Sequence, residues 1–252
     1  MLSVDGVSLN FGGLRVLTDV GFDVVENQIC ALIGPNGAGK TSVFNCVSRF
    51  YTPSSGRILM AGENLVGRPP HEVARHGIAR TFQNLALFEA QTVFENVMVG
   101  AYPVTRSTIL DSLLRLPRER REERETAARA WEMLDETGLG DVADAKVRDL
   151  PFGTQKRVEL ARALMSEPRL LLLDEPANGL SHGEVDELAG FIREFADRRR
   201  LTILLVEHHI GMVRAIADHV VVLDAGEVLA QGSPEEVTGD PRVIKAYLGS
   251  AA

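Results

Sequence analysis

The residues with the clearest chemistry form one glycine-rich stretch near the start of the chain. It reads Gly34-Pro35-Asn36-Gly37-Ala38-Gly39-Lys40-Thr41-Ser42 and matches the pattern G-x-x-x-x-G-K-[ST] at every fixed position. Its glycines let the backbone curl so that several N–H groups point inward at a phosphate. Lys40 adds a positive charge that reaches the outer phosphates of a nucleotide, and Thr41 offers a hydroxyl to Mg²⁺. The pattern therefore predicts a phosphate-binding loop, called the P-loop (34–42) below.

The segments on either side of the P-loop have the patterns that such a loop requires. Ile29 to Ile33 is a continuous apolar run, typical of a strand that is buried on both faces. Ser42 to Phe50 contains no proline or glycine and spaces its apolar residues as a helix does. We therefore expect the N-terminus of a helix to meet the phosphates. A glycine-rich turn that binds nothing is the alternative, and the complete strand–loop–helix context disfavours it.

Two acidic residues follow a second buried strand. Leu170 to Leu173 is entirely apolar, and Asp174 and Glu175 come directly after it. In parallel α/β sheets, ligands bind at the carboxyl ends of the strands. Asp174 is therefore a candidate to hold Mg²⁺ through a water molecule, and Glu175 is a candidate base for the water that attacks the γ-phosphate. The alternative is an ordinary surface turn, which the presence of a P-loop in the same chain disfavours.

Composition limits the class of protein. The 252 residues are 45% hydrophobic, which is enough for one large domain or two small ones. A net charge of −8 and a sequence pI near 5.3 argue against broad binding to a nucleic-acid backbone. No apolar run approaches the roughly 18 residues of a membrane span, and residues 1–5 do not resemble a signal peptide, so we expect a cytoplasmic location. Cys30 and Cys46 lie within apolar patterns and are expected to be inert buried thiols.

The hydropathy pattern divides the chain into three parts. Residues 2–25 alternate between apolar and polar or small side chains, and Arg57–Met60 has the pattern of a further strand, which together predict an antiparallel sheet. Residues 70–150 have a helical and polar pattern, with helices predicted at Pro70–His76, Phe94–Val99, Ile109–Leu116 and Thr126–Thr137. From a helix predicted at 155–166 onward, helices alternate with buried strands, which predicts a parallel sheet with right-handed crossovers. The predicted fold class is α/β: a P-loop NTPase core with a mostly parallel sheet, an antiparallel β subdomain and an inserted α-helical subdomain.

The chain resembles the ATP-binding subunit of ABC transporters. The resemblance rests on the P-loop, on the apolar run that ends in the paired acids, and on the spacing between them. The resemblance covers nearly the whole chain. It implies a single ATP-binding cassette over residues 1–252, with a helical subdomain at 84–150 inserted within it. It also implies ATP and Mg²⁺ as cofactors and an ATPase activity coupled to transport across a membrane. The implied catalytic residues are Lys40, Glu175 and His208, and the implied metal ligands are Thr41, Gln83 and Asp174.

Three further motifs of that family can be placed on single residues. Phe11 matches the aromatic side chain that stacks on adenine. Gln83 matches the glutamine that contacts Mg²⁺ and links the cassette to the membrane subunit. His208 matches the switch histidine that contacts the γ-phosphate, although His209 competes with it for that role. Taken singly, a core aromatic, a surface glutamine and a capping histidine would be the ordinary interpretations.

The fourth motif departs from the family pattern. The signature Leu-Ser-Gly-Gly-Gln falls at Leu150–Gln155, where Pro151 replaces the serine and Phe152 the first glycine. The resemblance makes Pro151, Phe152, Gly153 and Thr154 contacts to the ATP held by a partner's P-loop. Because proline has neither an N–H nor a hydroxyl, one donor to that γ-phosphate is lost. We therefore hypothesise that the chain pairs with a different ATPase subunit and that the two composite sites differ in activity.

Several short phrases resemble the branched-chain amino acid uptake branch of the family. They are Asn10–Gly13, Arg80–Asn84, Val206–His208 and Ile244–Gly249. This resemblance implies a second ABC ATPase subunit in a homo- or heterodimer, two membrane permeases, and an indirect link to an extracytoplasmic solute-binding protein. The chain would then be peripheral on the inner face of the cell membrane, with no nucleic-acid partner.

Other interpretations stay open at this point. The chain could serve lipid or lipopolysaccharide export, urea or amide uptake, or a soluble ABC ATPase that is not tied to transport. A P-loop kinase is disfavoured by the helical insertion and by the signature position. The segment Leu85–Val99 is unusually apolar, which indicates either a contact with a permease or the core of the helical subdomain.

Overall fold

The structure is a computed structural model, and it describes residues 1–81, 85–102 and 117–249. The chain divides into two compact units. The first, called the core unit, comprises Met1–Gln83 and Arg169–Ala252, and the second, called the helical unit, comprises Asn84–Pro168. The helix predicted at 109–116 and the predicted ligand Gln83 lie outside the described residues.

The regular elements follow one another in an alternating α/β pattern. In chain order, the strands are β1 (Leu2–Phe11), β2 (Leu14–Val24), β3 (Ile29–Ile33), β4 (Ser55–Met60), β5 (Glu63–Asn64), β6 (Ile78–Arg80), β7 (Leu170–Asp174), β8 (Thr202–Val206), β9 (His219–Asp224) and β10 (Glu227–Gly232). The α-helices are α1 (Lys40–Val47), α2 (Pro70–Arg75), α3 (Val93–Val99), α4 (Pro117–Glu136), α5 (Phe152–Leu164), α6 (His182–Arg199), α7 (Ile210–Ile216), α8 (Pro234–Gly239) and α9 (Pro241–Gly249).

The core unit contains a four-stranded and a six-stranded sheet. The four-stranded sheet has the order β2-β1-β4-β5 and is antiparallel throughout, as the alternating pattern predicts. The six-stranded sheet has the order β10-β9-β3-β8-β7-β6, and all its pairs are parallel except that of β9 with β10. Every residue of β3, β7 and β8 is buried, because parallel strands are covered on both faces. The predicted fold class is confirmed.

The apolar core of this unit joins both sheets to the helix that follows the P-loop. α1 buries Val43, Phe44 and Val47, the residues whose spacing predicts the helix. They belong to one cluster with buried residues of both sheets, such as Val4 of β1 and Leu204 of β8. The helix that carries Lys40 and Thr41 is therefore fixed by apolar packing along the rest of its length.

The helical unit holds α3, α4 and α5. A capping box begins α3, since Glu95 N–H donates to Thr92 Oγ1 at 3.1 Å and Thr92 N–H donates to Glu95 Oε2 at 2.8 Å. Asn96 is fully buried, and its amide exchanges hydrogen bonds with the backbone of Phe88 at 2.8 and 3.0 Å. The preceding loop is thereby held against α3.

The apolar segment Leu85–Val99 has both an inner and an outer side. Val93 and Val97 are fully buried and form part of the unit's own core. Phe88 and Val99 are exposed, each with more than two-fifths of its surface accessible. The segment thus contributes to the core and leaves apolar side chains at the surface.

The predicted start of the helix after the signature is wrong. The sequence predicts a helix at 155–166, whereas α5 begins at Phe152 and ends at Leu164. Pro151 occupies the N-cap position with extended backbone angles (φ −55°, ψ 149°), where its missing N–H has no cost. Gly153 lies in the first turn without interrupting the helix, so the signature residues from Phe152 onward are helical.

The helix predicted at Thr126–Thr137 also starts too late, since α4 begins at Pro117 and ends at Glu136. Its end agrees closely with the sequence, as does the first helix of the tail. The helix predicted from Ser233 and Pro234 is α8, and its capping box is present, with Glu236 as the acid. Within the described ranges, no helix combines the length and the apolar character that crossing a membrane requires.

The two cysteines give a test of the core. Burial raises the pKa of the Cys30 thiol to about 12 and that of Cys46 to about 11. We expect neither thiol to react with a disulfide reagent in the folded protein at mildly alkaline pH, because both are inaccessible and protonated. Colorimetric thiol titration measures this, and the same protein in guanidinium chloride, where both thiols should react, is the control.

The same shifts predict how stability changes with pH. Because the pKa of each thiol is higher in the folded protein than its ordinary value of 9.0, the folded state retains protons that the unfolded state loses. The contribution of the two thiols to the free energy of unfolding is fully present below pH 9 and is lost as the pH rises towards the folded-state pKa values.

In the thiol titration, rapid reaction of either cysteine in the folded protein would contradict the buried placement.

Candidate functional site

The P-loop connects β3 to α1 and depends on its glycines. Gly34, Gly37 and Gly39 have φ of 147°, 82° and 101°, which are left-handed values that L side chains rarely adopt. A Cβ at Gly34 would lie 2.1 Å from the carbonyl oxygen of Leu223, and one at Gly39 would lie 2.7 Å from Leu17 Cδ2. Gly34 therefore has no room for a side chain, a side chain at Gly39 would have to displace Leu17, and Gly37 opens towards free space.

Lys40 is buried at the start of α1. Its Nζ donates hydrogen bonds to the carbonyl oxygens of Gly34 at 2.7 Å and Pro35 at 2.9 Å. Burial lowers the pKa of Lys40, and the negative charge of Glu175 opposes that shift. The ammonium group therefore lies inside the loop and within the electrostatic reach of one of the two predicted acids.

Neighbouring segments hold the P-loop in place. Gly226, in the turn between β9 and β10, donates its N–H to the carbonyl oxygen of Ala38 at 3.1 Å and accepts from Thr18 N–H at 2.9 Å. On α9, burial raises the pKa of the Tyr247 hydroxyl, and a hydrogen bond from the backbone of Gly34 opposes the shift. The C-terminal helix thus contacts the first glycine of the loop.

The predicted acids lie where β7 ends. Asp174 is 5% exposed, and its Oδ2 lies 2.7 Å from Nη2 of Arg80. Glu175 has φ of 48°, an uncommon value for a residue with a side chain. Its N–H donates to the carbonyl oxygen of Val206 at 2.9 Å, so the left-handed turn is held by the neighbouring strand β8.

Glu207, which sequence reasoning did not select, joins these two strand ends. It is 0% exposed, and its carboxylate accepts the backbone N–H groups of Ala177 at 2.9 Å, His208 at 2.8 Å and His209 at 2.9 Å. A buried carboxylate is tolerated when donors surround it. Glu207 therefore connects the segment after Glu175 to the histidine segment. The sequence feature that could have identified Glu207 is its position as an acid directly after a buried apolar strand.

The two adjacent histidines have different environments. His209 is the N-cap of α7: its Nδ1 accepts the N–H of Met212 at 3.3 Å, and its ring lies 5.7 Å from that of His182. The side chain of His208 is 55% exposed. The capping alternative therefore describes His209, which leaves His208 as the histidine that can reach a ligand.

Phe11 is not a core residue. It ends β1 with nearly half of its surface exposed, and its ring packs edge-on against Tyr51 at a centroid distance of 5.0 Å. An exposed ring face that a neighbouring aromatic holds in place can stack on a planar ligand.

The signature residues lie in the helical unit at the start of α5. The Gln155 amide closes the loop by donating from Nε2 to the carbonyl oxygen of Leu150 at 2.9 Å. Phe152 is exposed, and the ammonium nitrogen of Lys156 lies 5.5 Å from its ring centre. The first-turn N–H groups of Phe152, Gly153 and Thr154 point out of the N-terminus of α5, which is a favourable place for an anion.

In the core unit, the sheet order brings the predicted residues together. β3, β8 and β7 are neighbours, and they end at the P-loop, at Glu207 and His208, and at Asp174 and Glu175. Parallel strands place all these ends at one edge of the sheet. The hydroxyl of Thr41 and the carboxylate of Asp174 are hard oxygen donors, which suit Mg²⁺. Residues 1–81, 85–102 and 117–249 contain no cluster of three or more His, Cys, Asp or Glu that could hold a metal ion.

Comparison with known proteins identifies the family. A model described as ABC transporter matches residues 17–178, more than half of the chain. The chain belongs to the ABC transporter family. A second model, described as branched-chain amino acid ATP-binding cassette transporter, matches residues 227–252, which include the C-terminal helix that contacts Gly34. The resemblance seen in the sequence is confirmed.

Curated relatives of this ABC family member align along its entire length. The high-affinity branched-chain amino acid transport ATP-binding protein BraF of Pseudomonas aeruginosa is 43% identical over 251 residues, which is 100% of this chain and 98% of that protein. The protein of the same description named LivG, from Escherichia coli, is 41% identical with the same coverage.

Solved structures of ATP-binding cassettes have the same fold as this chain. The ADP conformation of an ATP-binding cassette of an ABC transporter has a TM-score of 0.87 and 29% identity, covering 99% of this chain and 98% of that one. A nucleotide-free ATP-binding cassette from an ABC transporter has a TM-score of 0.85 and 29% identity, with 98% of each chain covered.

Replacing Glu207 with Gln tests the junction between the two strand ends. The amide of Gln presents a donor where the carboxylate accepted one, so at least one buried N–H group loses its acceptor. We expect Glu207→Gln to lower the free energy of unfolding by about 1–3 kcal/mol, measured by urea denaturation.

The matched control is Glu227→Gln, which makes the same chemical change at an exposed position on β10. We expect its unfolding curve to match that of the unmodified chain within about 0.5 kcal/mol. Equal stability of the Glu207 and Glu227 variants would show that the three N–H groups do not need a carboxylate.

Proposed function

We propose that this chain is the ATP-binding and ATP-hydrolysing subunit of an ABC importer for branched-chain amino acids. The observation that carries the proposal is the convergence of the P-loop, Asp174, Glu175 and His208 at the ends of three adjacent strands. The class of solute rests on the two relatives, which align along the whole chain and are named for branched-chain amino acid transport.

The P-loop is suited to the triphosphate of ATP. Its left-handed glycines turn backbone N–H groups towards one point, and the N-terminus of α1 adds a favourable partial charge. Lys40 would exchange its hydrogen bonds with the loop carbonyls for contacts to the outer phosphates. Phe11 supplies an exposed ring for the adenine. A Mg²⁺ ion held by Thr41, Asp174 and Gln83 would neutralise phosphate charge.

Hydrolysis is assigned to the residues at the ends of β7 and β8. Glu175 would accept a proton from the attacking water, because it directly follows Asp174 at the edge of the sheet where the P-loop lies. His208 would donate to the γ-phosphate as charge accumulates on it. The carboxylate of Glu207 binds the backbone of Ala177, shortly after Glu175, and the backbone of His208. One buried carboxylate therefore helps to position the segments that carry both side chains.

A second cassette is needed to complete each site. The signature residues Pro151–Thr154 are placed at a helix N-terminus, where they would face the ATP of a partner subunit. Because Pro151 cannot donate, we propose a heterodimer in which the site completed by this chain's signature is the weaker one. The exposed Phe88 and Val99 of the helical unit are candidate contacts for one of two permeases. A solute-binding protein outside the membrane would act through those permeases.

Glu175→Gln tests the enzymatic assignment in the complex purified with its membrane subunits. We expect ATP hydrolysis to fall by about 100-fold or more, because a general base contributes on that scale. We expect ATP binding to persist, since the P-loop is unchanged. Phosphate release and retention of a fluorescent ATP analogue measure the two properties, and uptake of labelled leucine into vesicles reports the coupled transport.

Glu194→Gln is the matched control, because it makes the same change on the exposed face of α6. It should hydrolyse ATP at the unmodified rate. Turnover by the Glu175 variant at the control rate would remove Glu175 from the role of base. Uptake of urea in place of leucine, with hydrolysis intact, would overturn the solute assignment alone.

Pro151→Ser tests the asymmetry between the two composite sites. Serine restores an N–H and a hydroxyl at the signature position, and a hydrogen bond to a charged phosphate is worth about tenfold in rate. We expect turnover of the assembled complex to rise by about that factor.

Pro69→Ser is the control, since Pro69 is also the N-cap of a helix and has similar extended backbone angles. We expect this variant to leave turnover unchanged. A Pro151 variant with unchanged turnover would show that the missing donor does not limit the partner's site.

A further inference from the structure

The guanidinium group of Arg80 is the junction of three segments of the core unit. Its Nη1 donates to Asn45 Oδ1 on α1 and to Oγ of Ser48, the C-cap of that helix, each at 2.8 Å. Its Nη2 donates to Oδ2 of Asp174, at the end of β7, at 2.7 Å. Arg80 itself is the last residue of β6, which pairs with β7. One side chain therefore ties the helix after the P-loop to the acid predicted to hold the metal.

This ion pair is buried. The side chains of Arg80 and Asp174 are only 10% and 6% exposed, so the pair has little solvent screening. The guanidinium carbon also lies 5.5 Å from the ring centre of Phe44 and 5.7 Å from that of Phe50. A buried pair contributes little to stability by itself, but its geometry is well defined when further hydrogen bonds satisfy it. The arrangement thus specifies position more than stability.

The residues that Arg80 contacts on α1 are aligned with Thr41. Residues at i, i+4 and i+7 lie on one face of an α-helix, so Asn45 and Ser48 follow Thr41 along the same face. Thr41 and Asp174 are the two described residues that the family resemblance assigns as ligands of Mg²⁺. Arg80 therefore holds the helix face of one predicted ligand and the carboxylate of the other.

A second contact restrains the main chain of Asp174. The N–H of Asp174 donates to Thr81 Oγ1 at 3.4 Å, and the N–H of Thr81 donates to the carbonyl oxygen of Leu172 at 3.0 Å. Arg80 is the last residue of β6, and Thr81 directly follows it. That strand end thus restrains both the side chain and the main chain of Asp174.

We propose that Arg80 is a positioning residue that sets the separation between Thr41 and Asp174 and thereby prepares the site for a divalent cation with ATP. The inference rests on the proposed function, since it concerns the same site. Arg80 commits one oxygen of Asp174 and leaves the other for the cation or its water. Groups that orient metal ligands in this way are worth about 10- to 100-fold in metal affinity when they are removed.

Arginine is specifically suited to this position. Its planar fork donates in several directions at once, whereas the ammonium group of lysine is a compact point charge on a flexible stem. Lysine at residue 80 could pair with Asp174 but could not keep the same fixed contacts to Asn45 and Ser48. The charge alone is therefore not sufficient for the role.

The test measures how strongly Mg²⁺ increases the affinity for ATP. The full-length chain is titrated with a fluorescent ATP analogue in EDTA and at a series of Mg²⁺ concentrations. In EDTA, we expect Arg80→Met to bind within about twofold of the unmodified chain, because the P-loop and Lys40 are retained. With Mg²⁺, we expect the gain in affinity to be smaller by about tenfold or more in Arg80→Met, and Arg80→Lys not to restore it.

Arg193→Met is the matched control, since Arg193 also forms close ion pairs in the core unit, with Asp218 at 2.8 Å and with Asp197. It should show the full effect of Mg²⁺. If Arg80→Met fails to fold, as judged by thermal unfolding, the double variant Asn45→Ala and Ser48→Ala replaces it. That variant removes the α1 contacts and keeps the ion pair, and we expect a smaller loss in the same direction.

Two results would overturn the inference. One is an unchanged Mg²⁺ effect in the Arg80 variant or, where that variant does not fold, in the double variant. The other is an equal loss of affinity with and without Mg²⁺, which would assign Arg80 a purely structural role. If the unmodified chain itself binds no ATP analogue, the proposed function fails, and that result is distinct from both.

Discussion

The site depends on one constraint: a charge buried at the end of an apolar strand needs a fixed partner, because an unpaired buried charge is strongly destabilising. The core unit meets this constraint in three ways. Glu207 accepts three backbone N–H groups, Lys40 donates to two loop carbonyls, and Asp174 pairs with Arg80. Glu207 and Asp174 each bind a partner from another segment, Ala177 and Arg80, whereas Lys40 binds carbonyls of its own loop. In all three cases the contact that satisfies the charge also fixes a loop. The electrostatic requirement and the geometric requirement of the site are therefore satisfied by the same contacts.

The order of strands determines which loops can meet. β3, β8 and β7 are adjacent, and their residues are entirely buried apolar side chains apart from Thr202 and Asp174. Such strands form a rigid platform with little chemistry along their length. The chemistry appears where each strand ends, and the parallel arrangement places those ends at one edge. The P-loop fits there because Gly34 and Gly39 allow it to pack directly against neighbouring segments.

Much of this arrangement can be predicted from the sequence, since it depends on local patterns. The apolar runs predict β3, β7 and β8, the glycine spacing predicts the P-loop, and the family motifs predict His208 as a site residue. The start of α5 was misplaced because Pro151 is a helix cap in this context and not a helix breaker. Arg80 could not be assigned from the sequence, because its partner Asp174 is 94 residues away. Glu207 was missed for a similar reason: its burial depends on the segment after β7, which the local sequence does not reveal.

The two units carry different parts of the proposed chemistry, and their sequences differ accordingly. In the core unit, every predicted group that would touch ATP within the described residues agrees with the family pattern, and buried contacts from Arg80 and Glu207 position them. In the helical unit, the signature has lost a serine, although Pro151 still begins a regular helix whose first-turn N–H groups remain available. A subunit that binds and cleaves its own ATP needs the first set intact, whereas the second set acts only on the nucleotide of a partner. A change confined to the signature is therefore the change that a specialised heterodimer could tolerate, because it weakens one composite site and leaves the other complete.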